Sequence, residues 1–239
     1  MCTVTFFPLQ GSGFILTSNR DERLSRSDVL PPASYSFGNE RLYFPRDQES
    51  SGTWIACSSL KKTFCLLNGA FECHTSEPPY RKSRGLVLLE LIQADDARWY
   101  LENEGLSGIE PFTLVMVSEI EGNVMLEELR WDGKSYVLKE LNPRIPQIWS
   151  SVTLYSREIQ QTREDWFHHW LKENPMPVQN DLLHFHRFGG RGDRENDLLM
   201  KRQNDRQTIS ITSVLSDKGR IEMCYEDLIR EWKHRIQVR

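Results

Sequence analysis

The sequence predicts a layered α+β fold in a single domain spanning 1–239, and three observations carry that reading. Paired runs of β-branched and aromatic residues open the chain and close it, each pair joined by a tight polar turn. Between them, two groups of helical segments alternate with further strand signals, giving the order strands, helices, strands, helices, strands. No internal repeat and no linker divides the chain. An apolar content of 38%, with seven Trp and eleven Phe, supplies the core that one large domain needs.

Taken in order, Cys2–Pro8 reads as a strand, Gln10-Gly11-Ser12-Gly13 as a turn and Phe14–Ser18 as the returning strand of a hairpin. The hairpin brings Asn19-Arg20-Asp21-Glu22, four strong polar residues at a strand end, back beside residue 2. Arg23–Gln48 is polar and contains Pro31-Pro32, which predicts a loop with one short strand, Arg41–Pro45. Thr53–Ser59 and Thr63–Asn68 are strands joined at Leu60-Lys61-Lys62, and His74–Tyr80 is loop. Ser83 caps a helix through Leu86, Leu89, Glu90 and Gln93; Asp95 caps a second through Ala97, Tyr100 and Leu101. Pro111–Ser118 is a buried strand, and Val124–Trp131 with Ser135–Leu141 form a hairpin around Asp132-Gly133. Glu158–Glu173 is a helix whose Trp166, Trp170 and Leu171 side packs on the core. Asp181–Arg187 and Glu195–Arg202 are shorter helices. Strands Gln207–Leu215 and Arg220–Tyr225 close the fold.

Composition excludes several functions. A net charge of −4 gives no general affinity for nucleic acid or anionic membranes. No apolar run is long enough to span a bilayer, and the N-terminal segment lacks a signal-peptide pattern, so a cytoplasmic protein is expected. The five cysteines, Cys2, Cys57, Cys65, Cys73 and Cys224, form no Cys-x-x-Cys pair and predict neither disulfides nor a zinc site. His168-His169 and His184-x-His186 lack supporting carboxylate or thiol ligands and read as surface or core histidines. Gly189-Gly190-Arg191-Gly192-Asp193 lacks the lysine and preceding strand of a phosphate loop and reads as a connector. Neither metal nor cofactor is implied.

The chemistry concentrates at Met1-Cys2. Removal of the initiator methionine leaves Cys2 with a free α-amine beside its own thiol, so one residue carries a nucleophile and a base that titrates near neutral pH. A nearby cation lowers a thiol pKa, and Arg20 is the candidate.

Met-Cys, a short hairpin and Asn19-Arg20-Asp21-Glu22 resemble the NRDE family, which includes the transport and Golgi organisation 2 proteins. Ser51-Gly52-Thr53-Trp54-Ile55-Ala56, Phe64-Cys65-Leu66-Leu67-Asn68-Gly69 and Ser83-Arg84-Gly85-Leu86-Val87 resemble its next blocks, with Leu67 where the family carries an aromatic or Thr. The resemblance covers the first ninety residues closely and the rest diffusely. It implies a four-layer αββα sandwich of the N-terminal-nucleophile hydrolase type, similar to penicillin V acylase and bile-salt hydrolase. Those acylases carry a second, mid-chain Asn; the corresponding Trp149-Ser150-Ser151-Val152-Thr153 has none.

The resemblance implies a cysteine amidohydrolase or acyltransferase acting on an amide or thioester of a small or lipid-like acyl group. Cys2 is the nucleophile, Arg20 favours the thiolate, Asp21 holds the α-ammonium, and Asn68 or a backbone amide near it binds the oxyanion. Asn19, Glu22, Trp54 and Ser151 are candidate substrate-binding residues, with Asn19 and Glu22 equally able to tie the turn together. The alternative is a non-enzymatic haem- or lipid-handling protein for binding or trafficking. In either case the partner is a small acyl or hydrophobic ligand.

Overall fold

The computed structural model describes residues 3–26, 28–38 and 40–238. In chain order its strands are β1 (Thr3–Pro8), β2 (Phe14–Arg23), β3 (Val29–Phe37), β4 (Glu40–Asp47), β5 (Ile55–Ser58), β6 (Lys62–Asn68), β7 (Phe112–Ile120), β8 (Asn123–Trp131), β9 (Tyr136–Leu141), β10 (Gln147–Ser150), β11 (Arg206–Asp217), β12 (Arg220–Asp227) and β13 (Trp232–Gln237). The helices are α1 (Arg84–Gln93), α2 (Ala97–Asn103), α3 (Arg157–Glu173) and α4 (Gln179–Phe188). The fold is α+β, with two antiparallel sheets. It groups into two compact units: the described residues of 1–27 with 144–237, and those of 28–143.

The first unit is a six-stranded sheet in the order β10-β1-β2-β11-β12-β13. Its strand β1 is interior, and strand alternation gives its residues two fates. Phe7 and Ile15 pack on Phe167 of α3 and on Leu182 and Phe185 of α4. Val4, Phe6, Leu16, Ser18 and Arg20 alternate to the opposite face and are buried there as well. A strand buried on both faces carries few exposed polar groups, which is why Thr3–Phe7 contains only Thr, Val and Phe.

The second unit is a seven-stranded sheet in the order β3-β4-β5-β6-β7-β8-β9. Phe64 and Leu66 of β6 and Leu114 of β7 meet Leu88, Leu91 and Ile92 of α1 in one core. The Ser83 hydroxyl accepts the Leu86 N–H and starts α1. Here two of the sequence blocks meet. A Cβ on Gly85 would lie 2.6 Å from the Thr53 carbonyl oxygen, and one on Gly52 would lie 2.7 Å from the Gly85 carbonyl carbon. The start of α1 therefore rests directly on the backbone before Trp54, an approach only glycine permits. Gly85→Ala should destabilise the protein by about 1–3 kcal/mol, since backbone must move to make room. Urea denaturation measures this, and an unchanged midpoint would contradict the close approach.

Several elements differ from the sequence reading. β2 continues through Arg23 because its pairing with β11 runs on to Arg206, so Asn19-Arg20-Asp21-Glu22 lies within a strand and is not a turn beyond it. The expected loop over Arg23–Gln48 is largely the β3–β4 hairpin. Its prolines are tolerated because β3 is an edge strand with a register shift between Leu30 and Ala33. The cap of α2 is Asp96, which accepts the Arg98 N–H, rather than Asp95. The expected helix Glu195–Arg202 is a series of turns, because the Asn196 and Asp197 carbonyls point at Arg163 instead of along a helix axis. β10 and β13 were not anticipated. β13 is an edge strand whose Arg235 and Gln237 both bond Glu222, so its charged pattern reads as a polar tail.

Candidate active site

The site is built where three strands run together at the N-terminal end of β1. Thr3 is the register partner of Asn19 on one side and of Ser150 on the other. One step further along these antiparallel partners, past the start of β1, stand Arg20 on β2 and Ser151 after β10. Both are buried, Arg20 to 3% exposure and Ser151 to 1%. Cys2, the expected nucleophile, lies outside the described residues, as does Met1.

Alternation along β2 divides the Asn-Arg-Asp-Glu motif between two faces. Asn19 and Asp21 turn toward the helices. The Asn19 amide donates to the carbonyls of Leu198 (2.6 Å) and His186 (3.1 Å), which leaves its Oδ1 to accept from His186 Nδ1 (2.7 Å). His186 therefore carries its proton on Nδ1, and its Nε2 accepts from the Thr5 hydroxyl at 2.7 Å. The Asp21 carboxylate accepts from Tyr155 (2.7 Å) and from Thr208 (2.6 Å). Arg163, fully buried on α3, donates to the Thr3 hydroxyl at 2.5 Å and to the Asn196 and Asp197 carbonyls, and stacks 3.5 Å above the Tyr155 ring. Sequence reasoning missed Arg163 and Tyr155 as members of this cluster, since each is a lone polar residue in an ordinary stretch.

Arg20 alternates to the other face, where its guanidinium donates to the Arg26 carbonyl at 3.3 Å. Glu22 follows it on that side, 3.7 Å from Arg26. Burial pushes the Glu22 carboxyl up, but surrounding positive charge, including Arg20 and Arg26, and the Arg23 N–H outweigh it and hold the group below its ordinary value. Tyr225, on the same face of β12, is pushed up to about 12 by burial and then by Asp227. The arrangement is a buried, cation-bearing sheet face at the start of β1. It can lower the pKa of a thiol and hold a carboxylate ionised.

In the second unit, Asn68 ends β6 and is partly exposed; Gly69 follows with a φ of +80°. Trp54 precedes β5 and is buried. Cys57, Cys65 and Cys224 are buried and Cys73 is exposed. Burial pushes the Cys57 thiol up to about 12, so it is inert. His186 is a core histidine and His184 is exposed, on diverging sides of α4. No three His, Cys, Asp or Glu side chains among the described residues cluster as metal ligands.

His186 has a thermodynamic signature. Burial, with Arg163 as a second cause, lowers its pKa from 6.5 to about 3. The unfolded chain thus binds a proton below pH 6.5 that the folded chain refuses, and stability present above 6.5 is lost as pH falls toward 3. Between pH 7 and 5 this residue should account for about 2 kcal/mol of lost stability. Denaturant titrations at both pH values should show that loss in the wild type and its absence in His186→Gln; equal losses would contradict a neutral buried imidazole.

The fold is the one that N-terminal-nucleophile hydrolases share. The chain superposes on conjugated bile acid hydrolase from Clostridium perfringens, solved as an arginine-to-leucine variant (TM-score 0.60) and as a variant with alanine for cysteine at position 2 (TM-score 0.61). Each shares 10% identity over 99% of this chain and 92% of the hydrolase. It also superposes on the Caenorhabditis elegans N-acylethanolamine-hydrolyzing acid amidase ortholog at TM-score 0.51, with 12% identity over 89% of this chain and 92% of the amidase. At such identities the likeness shows the fold alone. No curated protein matches the sequence. The profile of the Transport and Golgi organisation 2 family matches residues 1–183, and the chain belongs to that family. No described helix is long and apolar enough to cross a membrane.

Proposed function

We propose that the protein is a cysteine N-terminal-nucleophile amidohydrolase or acyltransferase acting on an amide or thioester of a small or lipid-like acyl group. The observation that carries this reading is the buried Arg20, one register step beyond Asn19, the partner of Thr3 at the start of β1. The fold neighbours support it, since they are named as a bile acid hydrolase and an acylethanolamine amidase. One of those hydrolase structures carries alanine for the cysteine at position 2, and this sequence too has a cysteine at position 2.

In this mechanism the Cys2 sulfur attacks the acyl carbonyl carbon while the α-amine of the same residue takes the thiol proton. An N–H donor stabilises the oxyanion of the tetrahedral adduct, the part for which the family resemblance suggests Asn68 or a backbone amide near it. The adduct collapses to a thioester on Cys2, and the amine or thiol leaving group departs with the proton. Water, or an acceptor in the transferase case, then attacks the thioester and frees Cys2. Arg20 stabilises the thiolate, Asp21 supports the ammonium, and Asn19, Glu22 and Ser151 shape the surroundings; the family resemblance adds Trp54 as a substrate-binding candidate.

The test is a screen of acyl amides and acyl thioesters against the wild type and Cys2→Ala, with intact mass to locate the N-terminus. The reading expects loss of Met1, turnover of at least one acyl class and none by Cys2→Ala. A chain that retains Met1, or a Cys2→Ala protein with wild-type turnover, would overturn it. Saturable haem or lipid binding without turnover would favour the carrier.

A further inference from the structure

We propose that Arg163 and His186 are positioning residues that pin strand β1 from the helix side, so that the residues alternating to its other face are held against Arg20. The proposal rests on reading Cys2 as the nucleophile.

β1 is tied once by backbone pairing with β10 and β2 on its two sides. β1 is tied a second time. The Thr3 hydroxyl accepts from Arg163 of α3 at 2.5 Å, and the Thr5 hydroxyl donates to His186 of α4 at 2.7 Å. All four side chains are fully buried. Each anchor is itself held: Arg163 by the Asn196 and Asp197 carbonyls and the Tyr155 ring, His186 by Asn19. The buried hydroxyls of Thr3 and Thr5 are thereby satisfied at the first two helix-facing positions of β1. A plain core would place Val or Ile there. Asn19 and Asp21 of the motif belong to the same framework, since they secure β2 to the segment around Leu198 and Thr208. The polar cluster on the helix side therefore acts through β1 on whatever the opposite face presents.

The substitutions that separate positioning from folding are at the threonines. Thr3→Val and Thr5→Val keep the β-branched shape that suits a strand, and Thr3→Ser and Thr5→Ser keep the hydroxyl. The readout is the iodoacetamide alkylation rate of Cys2, followed by peptide mass in proteins shown by circular dichroism to be folded. Exposed Cys73 is the internal reference, and His184→Gln, an exposed neighbour on α4, is the control. In the wild type Cys2 should react faster than Cys73; if it does not, the nucleophile reading fails and this proposal with it. Given that result, Thr3→Val should slow Cys2 by tenfold or more, toward the roughly 10²-fold that a misplacement of about 1 Å produces. Thr5→Val should act in the same direction, both Ser variants should restore the rate, and His184→Gln should not change it. Cys73 should be constant throughout. Folded Val variants that alkylate Cys2 within twofold of the wild type would overturn the proposal, as would Ser variants as slow as their Val counterparts. Val variants that do not fold are replaced by Arg163→Lys, read by the same rate and held to the same limits.

Discussion

Arg20→Leu should lower kcat on a working acyl substrate by on the order of 10²–10³, the cost typical of removing one preorganised charge stabiliser from a site that excludes water. Arg20 is only 3% exposed and lies on a sheet face lined by Leu16 and Ser18 of its own strand. A guanidinium in such surroundings is screened little by solvent, so its effect on a neighbouring thiolate is large. It also helps keep Glu22 ionised. Leu fills much of the arginine stem and leaves the strand pairing intact, which makes activity the quantity that moves. Arg20→Lys keeps the charge without the planar fork and should fall between the two proteins. Single-turnover kinetics with a thermal melt as the folding control measures this. Arg20→Leu with kcat within threefold of the wild type would remove any electrostatic part for Arg20 in the reaction.

Arg163→Ala should cost about 4 kcal/mol of stability. The side chain is fully buried and donates to two main-chain carbonyls and to Thr3. Its removal leaves those acceptors without donors at about 1–3 kcal/mol each and opens a cavity beneath Tyr155. Arg163→Met, which restores volume but no donors, should recover only the cavity part. The difference in urea midpoints at constant m-value reports both. A loss below about 1 kcal/mol for Arg163→Ala would mean that water replaces the guanidinium freely.

What was legible in the sequence follows from what short-range patterns record. The β1–β2 and β11–β12 hairpins, α1 with its Ser83 cap and the β8–β9 turn each declare themselves through alternation, capping or Asp-Gly chemistry within a dozen residues. β3 did not, because edge position and a register shift relieve the proline penalty and both are properties of the assembled sheet. The turns at 195–202 were misread as helix because the competing partner of their carbonyls, Arg163, lies more than thirty residues away in sequence. The four motif residues were recognised as a unit from their order. Their division between two faces required knowing that β2 extends past Ser18, a fact set by its pairing with β11.

That division makes the motif intolerant of length changes in a way that point substitutions do not reveal. Deleting one residue between Phe14 and Ser18 would exchange the two sides, sending Arg20 and Glu22 into the helix-side packing and Asn19 and Asp21 to the opposite face. No compensating substitution at a single position could repair both. A residue added or removed among Gln10-Gly11-Ser12-Gly13, which lies outside both strands, changes only the connection. Natural chain-length variation in this hairpin should therefore be confined to its turn, and any stretch of β2 that has tolerated an insertion must have gained or lost residues in pairs.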